Sequence, residues 1–102
     1  MHELTINLKI LLAQCLTYMM YYGMDPLDIE QKQKVNDLMI KEIKSIKYSD
    51  SEGMVYLSQL IDLLTNIVAS EDKDVNYYLM DTNIFALIAL KINQISEDAE
   101  FV

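Results

Sequence analysis

The sequence predicts an all-α fold, a small bundle of four main helices that pairs as a homodimer. Three observations point there. Hydrophobic residues fill 52% of 102 positions, enough for the core of one domain, 1–102, without disulfides or a metal. With 2 glycines and 1 proline, the chain has too little turn punctuation for a sheet of tight hairpins. Apolar residues recur at helical spacing over long stretches, and helix-starting signals stand between those stretches.

The first segment, Glu3 to about Tyr22, carries polar Glu3, Asn7, Gln14 and Thr17, which share one narrow stripe of a helix. Almost everything else in it is apolar. Such a helix is expected to be buried on most of its circumference, either in the middle of the bundle or beneath a second subunit. Its end, Tyr18 to Met24, packs three tyrosines and three methionines into seven positions. Tyr18 and Tyr21 fall on or beside the polar stripe and Tyr22 flanks it, while Met19 and Met20 point to the opposite half. Methionines there would fill gaps in the core, and the tyrosines would keep their rings half covered and their hydroxyls in water. Gly23 suits the residue that ends the helix, and Pro26 follows at a suitable distance.

The stretch DPLDIE opens the second helix, with Asp25 as N-cap, Pro26 at the first helical position, and Asp28 and Glu30 in the first turn. Val35, Leu38, Met39, Ile43 and Ile46 make its apolar face. Glu30/Lys34 and Asp37/Lys41 have favourable i, i+4 order, and Lys41, Lys44 and Lys47 crowd the end, near Tyr48. SDSEG, residues 49 to 53, is a turn in which Asp50 or Ser51 can cap a third helix over 52–69. That helix has a polar stripe of Ser58, Gln59, Asp62, Thr65 and Asn66 and a wide apolar arc elsewhere.

SEDKD, residues 70 to 74, reads as a polar connection, and VNYYLMD as a short helical turn or the start of the last helix. Asp81, followed by Thr82 and Asn83, resembles an N-cap. IFALIALKINQI after it is apolar nearly all round, a second buried helix in which Ala86 and Ala89 permit close helix approach. The helix dipole disfavours Glu97, Asp98 and Glu100 at its end, so an acidic tail is expected to fray over 96–102.

The formal charge is −8, from 16 acids against 8 basic residues, every one of them lysine. Without arginine the chain lacks the forked donor for bidentate phosphate or guanine recognition, so direct nucleic-acid binding is not expected. The charge is uneven: residues 51–102 hold nine acids and two lysines. Cys15 is the single cysteine and lies in an apolar run, which suits a reducing compartment and a small core residue. MHELTINLKILLAQ lacks a basic signal region, and its apolar run is too short for a membrane span. The expectation is a soluble, cytoplasmic protein.

The start MHEL resembles the first four residues of the HypA-type nickel chaperones, where a histidine at position 2 helps bind nickel. The four zinc cysteines of that family are absent here, and His2 reads as an exposed terminal residue. Asp72, Asp74 and Asn76 stand at positions 1, 3 and 5 of a calcium loop. Tyr77 replaces its turn glycine, however, and Asn83 its bidentate glutamate. Cys15 has only His2 as a candidate base, and no glycine-rich phosphate loop is present. No catalytic, cofactor-binding or metal-binding residue is assigned, and the chain is read as a non-enzyme.

An interaction protein fits better. Two helices are apolar on almost every side, yet a four-helix monomer gives each only two close neighbours. Tyr18, Tyr21, Tyr22, Met24, Tyr77 and Tyr78 are the candidate partner-binding residues, because tyrosine and methionine are the adaptable side chains of interfaces. Asp72 and Asp74 join them as acids that steer the chain to a basic protein surface. The expected function is stoichiometric binding of another protein, as an inhibitor or adaptor of a basic, nucleic-acid-handling target. Small acidic helical inhibitors of this type occur among viral and mobile-element proteins, an analogy of type and not of motif. The alternative is an assembly module whose role is self-oligomerisation.

Overall fold

The structure, a computed structural model, describes residues 5–46, 51–70 and 72–100, and side chains as far as residue 94. His2, Glu3, Lys47, Tyr48, the cap residue Asp50 and the last two tail positions, on which expectations were placed, lie outside the described residues. The chain is all helical, with α1 Ile6–Tyr21, α2 Ile29–Ser45, α3 Ser51–Ala69, α4 Lys73–Thr82 and α5 Ile84–Glu100. Its radius of gyration is 14.0 Å, close to the about 13 Å of a compact chain this long. No strand occurs among the described residues.

Local chemistry accounts for the helix ends. Thr5 caps α1, its hydroxyl accepting from the Leu8 N–H at 3.3 Å. At the other end Gly23 has φ +78°, and two bonds close the turn: Gly23 N–H to the Met20 carbonyl at 3.1 Å and Met24 N–H to the Met19 carbonyl at 2.7 Å. This is the Schellman arrangement, and the stop expected at Gly23 is where the helix ends.

The expected start of α2 needs correction. Asp28, not Asp25, is the N-cap: Asp28 Oδ1 accepts from the Gln31 N–H at 2.8 Å, and Gln31 Oε1 accepts from the Asp28 N–H at 3.0 Å. Two orphan donors are satisfied reciprocally, which a lone cap at Asp25 could not do. The helix also ends earlier than expected, at Ser45 with Ile46 extended beyond it.

Five helices replace the expected four. The acidic stretch after α3 folds into α4, and Asp81, expected to cap the last helix, lies inside α4. The break comes two residues later, at Asn83, whose φ of 64° is left-handed. Asparagine tolerates that conformation better than most residues, so α5 can start at Ile84 on a new axis.

The core runs through α2, α3, α4 and α5, with Met39, Ile43, Leu57, Leu60, Leu64, Ile67, Val75, Leu79 and Ile84 among its buried members. α3 contributes most to it, burying Gly53, Tyr56, Leu57, Leu60, Leu63, Leu64 and Ile67 along the wide arc the sequence predicts. α1 packs along α3, while α2 meets α3, α4 and α5. Polar bonds fix the register. Fully buried Asn36 donates to the Thr82 hydroxyl at 2.9 Å, joining α2 to α4, and Lys91 Nζ donates to the Ile46 carbonyl at 3.0 Å, joining α5 to the end of α2.

Neither of the two apolar helices is covered on most of its circumference by its own chain. α1 buries only Ala13 fully and packs Ile6, Ile10, Leu16 and Met20 against the core, so it does not run through the middle of the bundle. α5 turns Ile84, Leu87 and Ile88 inward and leaves Phe85, Ala86, Ala89 and Leu90 exposed, so among the described residues no helix uses the close approach the two alanines permit. On α2, Leu38 is exposed where an inward position was expected.

The left-handed cap gives a direct test. Asn83→Val should cost about 1–2 kcal/mol, because a β-branched residue is strained there, and lower Tm by about 4–8 °C per kcal/mol. Asn83→Gly should melt no lower than the native chain. Equal melting of the native and valine chains would show that the break between α4 and α5 carries no strain.

Candidate interaction surface

The side chains that α1 does not place against α3 form a second apolar stripe. Leu8, Leu11, Leu12, Cys15, Tyr18, Met19 and Tyr22 are all exposed, the six around Cys15 from 38% at Met19 to 68% at Tyr22. Their spacing is i, i+3, i+4, i+7, i+10, i+11, i+14, the a, d and e positions of two heptads. One edge of the stripe opens on a groove between α1 and α2 of about 220 Å³, lined by Leu12, Leu16, Val35, Leu38 and, beneath them, α3. The Lys9–Glu42 ion pair, 3.1 Å, bridges α1 and α2 at that groove. Buried Tyr56 also lines it, and burial together with the charge of Glu42 pushes its phenol up to about 12.

The residues singled out from the sequence divide between two places. Tyr18, Tyr21, Tyr22 and Met24 cluster at the end of α1, all more than half exposed, with Tyr21 and Tyr22 meeting edge to face at 5.1 Å. The methionines are mixed: Met20 packs on the core, whereas Met19 and Met24 are exposed. Tyr77 and Tyr78 belong to α4. Tyr78 turns back to α2, where its hydroxyl donates to the Asp37 carboxylate at 2.7 Å. That bond, with burial and the Asp37 charge, raises the phenol's pKa. This is also where Asp37 is engaged, in place of the expected pairing with Lys41.

Tyr77 points outward, as do Met80, Asp74 and Asp81, giving α4 an exposed face with two apolar anchors between two carboxylates. Asp72 has a local task as the N-cap of α4, its Oδ1 accepting from the Asp74 N–H at 3.0 Å and the Val75 N–H at 3.3 Å. The segment considered as a calcium loop is therefore a capped helix. Among the described residues no three His, Cys, Asp or Glu side chains gather as a metal-ligand set, and no helix is long and apolar enough to cross a membrane.

Sequence reasoning does not single out the exposed Leu8, Leu11 and Leu12, nor Met80 and Asp81 beside Tyr77. The heptad spacing of the first group and the i, i+3, i+7 spacing of Asp74, Tyr77 and Asp81 were the available signals.

A polar clamp positions the Tyr/Met end of α1. Lys32 is buried on α2, and its Nζ pairs with Asp25 at 2.6 Å and lies 3.4 Å from the Ser70 hydroxyl. The loop after α1 is thereby held beside the end of α3. Burial pulls the Asp25 pKa upward, but hydrogen bonds from Lys32 and the Leu27 N–H and the Lys32 charge outweigh it, leaving the carboxyl below the ordinary aspartate value. A depressed carboxyl stabilises the fold above the unfolded pKa and loses that contribution as pH falls through the folded one. Stability of the native chain should therefore fall as pH drops below about 3.8, and Asp25→Asn should lower stability at neutral pH while flattening that part of the acid limb. An unchanged acid limb in denaturant titrations of Asp25→Asn would remove the clamp from the account.

Compared with known proteins, the chain matches no family model, no curated protein and no solved structure.

Proposed function

We propose that this chain acts stoichiometrically, as a homodimer that binds another protein with a basic surface, and catalyses no reaction. The observation that carries the reading is the outward face of α4, where Tyr77 and Met80, 65% and 66% exposed, stand between Asp74 and Asp81. Large amphipathic and adaptable side chains supply contact area at low entropic cost, and the carboxylates around them select a positive partner. The field behind them has the same sign, since residues 51–102 hold nine acids and two lysines. Such a field speeds encounter with a basic surface and repels acidic competitors.

Basic surfaces are typical of proteins that handle nucleic acid, so an inhibitor or adaptor seated on such a surface is the sharpest form of the reading. The outward stripe of α1 favours a second one, an assembly module. That module would use its apolar surface on copies of itself and leave the acidic face without a partner.

Capture from a lysate of cells in which the protein acts, read against salt, separates the two. The native chain should retain one basic protein at fixed stoichiometry and lose it in high salt. Asp74→Lys with Asp81→Lys should slow association by about tenfold or more at low salt without altering the melt. Asp72 is spared in this design because it caps α4. Recovery of the bait alone, or a partner indifferent to both salt and charge reversal, would overturn the basic-partner reading and leave the assembly module.

A further inference from the structure

We propose that the outward stripe of α1 is the interface between two copies of this chain, packed antiparallel about a two-fold axis at Cys15. The inference rests on the homodimer of the preceding reading and goes on to name its surface and register.

Three observations carry it. The first is area. Leu8, Leu11, Leu12, Tyr18, Met19 and Tyr22, with Leu38 beside them, average about half exposed. At roughly 150–250 Å² for a large side chain, they present on the order of 600 Å² per chain. Two such faces bury on the order of 1,200 Å², at the lower end of specific interfaces, and a patch of this size stands at the upper end of the about 300–600 Å² that a monomer's largest apolar patch covers.

The second is charge. Each copy carries −8, so two copies repel wherever their acidic surfaces approach. Between residues 6 and 21 the only charged side chain is Lys9, and it is paired with Glu42. The stripe itself holds leucine, cysteine, tyrosine and methionine. Identical acidic chains can meet here on a face without an unpaired charge, while a basic partner would find no carboxylate on the stripe to recognise.

The third is the internal symmetry of the stripe. Positions 8, 11, 12, 15, 18, 19 and 22 are disposed evenly about 15. In an antiparallel pair, Cys15 meets Cys15, Leu8 meets Tyr22, and Leu11 and Leu12 meet Met19 and Tyr18 of the other copy. Smaller leucines then face the larger side chains, as interdigitating layers require. A parallel pair would set tyrosine on tyrosine and leucine on leucine. The groove beside Leu12, about 220 Å³, exceeds the ~150 Å³ cavity that holds a benzene ring, so it can accept the Tyr18 or Met19 side chain of the second copy.

The register makes Cys15 a reporter. Helices packed about 8–10 Å apart bring facing residues at a crossing point within reach of a short bis-maleimide. In sedimentation at micromolar concentration the native chain should have the mass of two chains, and the reagent should couple the copies through Cys15. Leu11→Asp, at an exposed position, should keep the helical circular dichroism while losing both the two-chain mass and the coupling. Cys15→Ala should keep the two-chain mass without coupling. A one-chain mass would overturn the homodimer together with this interface and leave the stripe to another protein. A two-chain mass that survives Leu11→Asp, or that gives no Cys15 coupling, would overturn the α1 interface alone. None of these outcomes bears on the acidic face of α4, whose test is the charge reversal.

Discussion

Burial of α3 is the constraint on which the rest of the architecture depends. Seven of its residues, from Gly53 to Ile67, are buried in one wide arc, and each large apolar side chain removed from water contributes about 1.5–3 kcal/mol. One neighbour cannot cover an arc that broad. α2 lies over it, α1 lies along it, and α5 approaches its far edge, leaving a groove lined by Ile61, Leu64, Thr65, Val68, Phe85 and Ile88. A helix recruited to cover one edge of another is itself covered on one side. The exposed stripe of α1 thus follows from the width of the arc on α3, because α1 is apolar on two faces and α3 occupies one of them.

Apolar packing alone is poorly directional, and a few polar bonds set how the helices register. Asn36–Thr82, Lys91–Ile46 and the Lys32–Asp25 clamp each tie α2 to a different part of the chain. They are not cheap. Asn36 Oδ1 is buried without a protein partner, which costs about 1–3 kcal/mol, and the charge of Lys32 is taken largely out of water. Such groups are better explained by the arrangement they select than by the stability they add, since a leucine at position 36 would pack without specifying where α4 sits.

Helix existence was legible in the sequence because periodicity and caps agreed there, and the errors fell where two local signals competed. At DPLDIE, proline after Asp25 favoured an early start, yet Asp28 with Gln31 offered the reciprocal capping box and prevailed. At DTN, the residue type suggested a cap at Asp81, whereas the chain used Asn83 for a left-handed break. The polar stripe on the first helix predicts a single wet face. Counting apolar residues could not show that half of them would lack a neighbour, because that depends on how many helices reach α1. The tyrosines were placed correctly at the boundary with solvent, but only the fold separates Tyr78, bonded to Asp37, from Tyr77, which is free to meet a partner.

In the proposed arrangement the distribution of charge suits these surfaces to different physical tasks. Dimerisation of a strongly acidic chain would work against its own field, and that repulsion is small at α1, where the one charged side chain is a paired lysine. Recognition of a basic protein works with the same field, which is strongest over the second half, where α4 displays Tyr77 and Met80 among carboxylates. Had the acids been spread evenly, any self-interface would bury like charges, and any partner-binding face would compete with it for the same surface. Segregation removes that competition in the proposed arrangement. Joining two copies at α1 would double the acidic field presented to the partner, so dimerisation would strengthen steering while leaving the composition of the α4 face unchanged.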